Sequence, residues 1–94
     1  MKTVFSIGDF VLSKAGRDAG KVLLVIDVDG EYAKIVDGKQ RKILAPKRKK
    51  LKHIEKFSLD RSIDLAMKIK SGQPVSNERV KRAIETAKQK IQED

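Results

Sequence analysis

The chain has 94 residues, no cysteine, one histidine, and 22 Lys plus Arg against 13 Asp plus Glu, for a net charge of +9. A chain this short makes one small domain with a modest core, which argues against a deep catalytic pocket, and the lack of cysteine removes disulfides and thiolate metal sites. No window approaches the roughly 20 apolar residues of a membrane span, and the N-terminus has no signal-peptide pattern, so a cytoplasmic location is expected.

Residues 7–14 are apolar and β-prone and are expected to form a first strand, followed by a glycine-punctuated loop through Gly16 and Gly20. Lys21 to Asp29, KVLLVIDVD, is almost continuously Val, Leu and Ile, and its length between glycines suits a strand better than a helix. In strict alternation, Val22, Leu24, Ile26 and Val28 share one face, and Leu23, Val25 and Asp27 share the other. Asp29-Gly30 is a hairpin signal, and Tyr32 to Val36 is the returning strand.

A second turn at Asp37-Gly38 leads to a short strand expected over Arg41 to Ala45. Pro46 has no N–H for a ladder, so it ends that strand, with Lys47 to Lys50 as a loop and Leu51 to Ile54 as a fifth strand. Five short strands with tight turns in about 50 residues suggest a small antiparallel barrel.

At Ser58 the period changes. Ser58 is the expected N-cap of a helix running to Gly72, with Leu59, Ile63, Ala66 and Met67 as its apolar stripe and the aliphatic stem of Lys70 extending it. Pro74 breaks the chain, Ser76 caps again, and Val80, Ile84, Ala87 and Ile91 recur at the spacing of one helical face. The pair reads as a helical hairpin. Arg79, Lys81, Arg82, Lys88 and Lys90 lie off that stripe and are nearly balanced by Glu78, Glu85, Glu93 and Asp94, as on a solvated helix face.

The charge is concentrated between Gly38 and His53, where Lys39, Arg41, Lys42, Lys47, Arg48, Lys49, Lys50 and Lys52 occur with no acid between them. Removing these eight from the 22 basic residues leaves 14 against 13 acidic ones, so almost all of the net charge resides here. Lysine is common on strand edges as protection against aggregation, but edge protection does not require a single sign over so long a run. A polyanion neutralises such a segment, which points to an anionic partner, either nucleic acid or an anionic membrane surface. Aromatic residues are few, namely Phe5, Phe10, Tyr32 and Phe57, so base stacking has few candidates and phosphate contacts are expected to lead.

Two motifs carry a resemblance. Gly8-Asp9 with Val11, followed by Gly16-Arg17-Asp18-Ala19-Gly20-Lys21 and the apolar strand behind it, resembles the KOW motif of ribosomal and transcription-associated RNA-binding proteins. Asp37-Gly38-Lys39-Gln40-Arg41-Lys42, followed by Pro46-Lys47-Arg48-Lys49-Lys50-Leu51-Lys52-His53, looks like the corresponding segment of proteins related to the ribosomal large-subunit protein fourteen-e family. The resemblance covers roughly residues 5–56. It implies an SH3-like barrel, here five-stranded over residues 1–56; with the two-helix extension over 57–94 read from the change of period, to which the resemblance does not extend, the expected fold is mostly β with α. The RNA contacts it implies are Arg17 and Lys21 in the first loop and Arg41, Lys47, Arg48, Lys49, Lys50, Lys52 and His53 in the second segment. Lys14, Lys39 and Lys42, basic residues beside these, complete the candidate contacts.

The expected partner is ribosomal RNA or another structured RNA, on or off the ribosome, with no membrane. A protein-interaction module using the barrel or the C-terminal helices is the alternative. No nucleophile, base and oxyanion donor converge, so no catalytic residue is named. Asp27, Asp29, Glu31 and Asp37 straddle turns and read as turn formers, and no metal or cofactor is implied.

Overall fold

The computed structural model describes residues 3–92; Glu93 and Asp94 lie outside the described residues. Five antiparallel strands form one sheet: β1 (Phe10–Ser13), β2 (Val22–Asp29), β3 (Tyr32–Val36), β4 (Lys47–Lys50) and β5 (Ile54–Lys56), in the order β4-β3-β2-β1-β5. A 3-10 turn over Leu51–His53 joins the two edge strands, and two helices follow, α1 (Ile63–Lys70) and α2 (Asn77–Gln92). No helix among the described residues is long and apolar enough to cross a membrane.

Each face of the sheet carries its own apolar cluster. On one face, Val11, Leu23, Val25, Ala33, Ile35 and Ile54 pack with Phe5. On the other, Phe10, Val22, Leu24 and Val36 pack beneath Leu65 of α1 and Val80, Ala83, Ile84 and Ala87 of α2. The expected apolar face of α2 therefore covers the sheet, except that Ile91 is exposed.

The alternation predicted for β2 holds up to Ile26, which packs with the cluster of Val22 and Leu24. Between Val25 and Asp27 the pairing with β3 slips by one residue, as in a β-bulge. An extra residue inverts every side chain beyond it. Val28 consequently packs with the cluster of Leu23 and Val25, while Asp27 is exposed opposite Lys34.

The segment around Pro46 corrects the expected strand positions. Arg41 to Ala45 is a loop of bends and a turn, its backbone groups bonded locally except the Ile43 N–H, which reaches the Asn77 side chain. The Asp37 carboxylate accepts the N–H groups of Lys39 and Arg41 at 2.8 and 2.9 Å, and the Arg41 carbonyl accepts the N–H groups of Asp37 and Gly38 at 2.9 and 3.1 Å. Lys47 to Lys50 is not a loop but strand β4, with Ile35 opposite Lys47 and Tyr32 opposite Lys50. Lysine and arginine stems can lie along apolar surface while their heads remain in water, so a run of basic residues is a workable edge strand. The expected fifth strand shifts to Ile54–Lys56, and the first strand is confined to Phe10–Ser13.

Helix α1 starts four residues later than expected. The Ser62 N–H donates to the Gly8 carbonyl at 2.9 Å and the Phe57 N–H to the Phe10 carbonyl at 2.9 Å, tying the intervening chain to β1 and its approach. Ser62 then caps the helix by accepting the Leu65 N–H at 3.3 Å, whereas Ser58 accepts the Asp60 N–H in a local turn. With this start, Leu65 and Ala66 face the core, and Leu59, Ile63 and Met67 are exposed. Ser76 caps α2 as expected, accepting the Arg79 N–H at 3.1 Å.

Candidate nucleic-acid interface

The loop between β1 and β2 closes on itself: the Gly20 N–H donates to Ser13 and the Ser13 N–H to the Lys21 carbonyl, at 2.9 and 3.0 Å. Within it, Asp18 is only 1% exposed. Both of its carboxylate oxygens accept from the Arg41 guanidinium, at 3.1 to 3.3 Å, so the β1–β2 loop is strapped to the β3–β4 loop. A second strap joins the Lys21 ammonium to the Gln40 side-chain oxygen. A third comes from β4, where the Lys49 ammonium donates to the Ala15 carbonyl. The two loops therefore lie side by side.

These contacts divide the basic residues into two groups. Lys49 is 8% exposed, points to the same side of the sheet as Ala33 and holds loop backbone. Arg41 is occupied by Asp18 and Lys21 by Gln40. By contrast, Lys14, Arg17, Lys39, Lys42, Arg48, Lys50 and Lys52 are exposed, and none takes part in an ion pair among the described residues. Lys47 and His53 are half-buried, and the His53 carbonyl accepts the Lys14 N–H at 2.8 Å. That bond sets Lys14 beside the 3-10 turn. There Lys14, Lys50 and Lys52 border a groove that also contains Phe5, Leu51 and Ile54, with Glu31 and Glu55.

On β4, Arg48 and Lys50 point away from Lys47 and Lys49, sharing a face with Lys34 and Tyr32 of β3. The Arg48 guanidinium lies over the Tyr32 ring, 3.7 Å from its centre. The sequence placed Tyr32 on a strand and Asp18 in a motif but assigned neither of them, nor Asn77, to the site. A single acid inside a basic loop was the available signal for Asp18. The pairing of Tyr32 with Arg48 depends on a strand register that the sequence did not reveal.

The C-terminal helix is electrostatically distinct from this surface. Lys81 pairs with Glu78 and Lys88 with Glu85, each at 3.7 Å, and Arg79 reaches Asp64 of α1 at 3.0 Å. No protein-family model matches the chain, and no curated protein matches it significantly.

Proposed function

We propose that the chain is a non-catalytic, cytoplasmic RNA-binding protein whose sheet is an SH3-like barrel of the KOW type, docking on ribosomal or other structured RNA through the strapped loops. The observation that carries this reading is the Asp18–Arg41 strap, which fixes two loops side by side. Arg17, Lys39 and Lys42 extend from them without carboxylate partners among the described residues. Phosphate contacts supply the affinity and register of such a surface, and shape and unpaired bases supply its selectivity.

The test is binding to a labelled junction-containing RNA across a salt series. A triple Arg17→Ala, Lys39→Ala, Lys42→Ala variant is expected to bind roughly tenfold or more weakly, with a salt slope shallower by about two to three units. Lys88→Met, which removes an ammonium paired with Glu85 on α2 and away from the strapped loops, is expected to bind nearly as the unaltered protein does. A triple variant with unchanged affinity and slope would sink the proposal.

A second reading, a protein-interaction module, draws support from α1 and its approach, where Leu59, Ile63 and Met67 are 99%, 63% and 66% exposed at four-residue spacing. The stripe of Val80, Ile84 and Ala87 does not serve it, since those side chains are buried against the sheet. Co-purification that survives the triple charge substitution but is lost on Ile63→Ser with Met67→Ser would favour this second reading.

A further inference from the structure

The sheet face covered by α1 and α2 around Leu24 and Val36 continues along β3 to Lys34 and Tyr32, where the side chains reach solvent or its margin. There the Arg48 guanidinium rests on the Tyr32 ring at 3.7 Å. Arg48 is exposed and has no carboxylate partner among the described residues. We infer that Tyr32 and Arg48 form a stacking platform for an unpaired RNA base. The inference rests on the RNA-binding reading and deepens it, by naming single-stranded nucleotides as what this part of the surface takes.

Bases in RNA loops and bulges stack on aromatic rings and on guanidinium planes alike. A free arginine side chain must be ordered before a base can lie on it. Here the tyrosine beneath already orders it, so less entropy is lost on binding. The charges around the pair set the direction of the strand. On the β2 side, Asp27 lies opposite Lys34 and Asp29 opposite Tyr32. On the other side, Lys50 lies opposite Tyr32 on β4, an edge strand. The phosphates of a bound strand therefore run along β4, away from the aspartates, with one base turned inward onto Arg48. Lys50 also borders the groove with Lys14 and Lys52, so the path continues toward the β1–β2 loop.

The test uses a uridine-rich single-stranded RNA carrying one 2-aminopurine, whose emission falls on stacking, and a blunt duplex of the same length. Arg48→Lys keeps the charge and removes the plane. It is expected to weaken single-strand binding about tenfold and to abolish the quenching, leaving the salt slope and duplex binding unchanged. Tyr32→Phe preserves the ring and is expected to retain both signals, whereas Tyr32→Leu loses them. If Arg48→Lys binds and quenches like the unaltered protein, Arg48 is a point charge and the platform is refuted while RNA binding stands. If the unaltered protein binds neither single strand nor duplex, nor the junction RNA, the RNA reading falls and takes the platform with it.

Discussion

Asp18 is a carboxylate almost without solvent, and its ionised form is tolerable because the Arg41 guanidinium donates to both of its oxygens. The two partners are not equivalent. The Arg41 side chain is 28% exposed and can turn to water if it loses its partner, whereas Asp18 cannot. Removing the arginine therefore strands a buried charge, the costlier of the two losses. Arg41→Ala is expected to lower stability by about 3 kcal/mol and Asp18→Ala by about 1 to 2 kcal/mol in urea unfolding. Equal losses, or the reverse order, would show that the pair is screened by water and is not acting as a strap.

At the level of elements, each helix is positioned by a glycine turn of the sheet region. Gly38 has φ +80°, and a Cβ there would fall 2.4 Å from the Asn77 carbonyl oxygen at the start of α2. Gly8 has φ +96°, and its Cβ would fall 2.7 Å from the Ser62 carbonyl oxygen at the cap of α1. The neighbouring atoms are backbone and cannot swing aside, so Gly38→Ala combines backbone strain with displacement of a helix. It is expected to cost at least about 2 kcal/mol by thermal or urea unfolding, and a loss below about 0.5 kcal/mol would mean that α2 does not sit on this turn.

The same elements indicate what the sequence made legible. β2, β3 and α2 were readable because apolar runs, a Gly-bearing turn and a 3.6-residue stripe are local signals. β4 was not, since four successive basic residues have no apolar alternation, and only pairing with Tyr32 to Ile35 makes them a strand. The start of α1 was obscured for a related reason. Ser58 and Ser62 are both competent caps, and the choice between them is made by a hydrogen bond to Gly8, more than 50 residues earlier. Of the candidate site, the basic residues were legible as a set. Their division into tied and exposed residues was not, because it depends on which side of β4 Lys47 to Lys50 face and on which loop side chains reach Arg41 and Lys21.

Over the whole molecule, sheet and helices share one cluster, in which Phe10, Val22, Leu24 and Val36 are covered by Leu65, Val80, Ala83, Ile84 and Ala87. Burying a large apolar side chain contributes about 1.5 to 3 kcal/mol, and small domains have only about 5 to 15 kcal/mol in total. A chain cut after Phe57 is therefore expected to lose cooperative unfolding and to bind a hydrophobic dye. A sharp transition close to that of the full chain would show that the sheet stands on the Phe5 and Val11 side alone. The β3–β4 loop depends on the same helices more directly. Its Ile43 N–H is accepted by the Asn77 side chain at 2.9 Å, 34 positions further along the chain, and Gly38 abuts the backbone of that residue. The consequence is one of timing. During synthesis the basic segment emerges well before Asn77, so the β3–β4 loop gains its final shape only once α2 has been made.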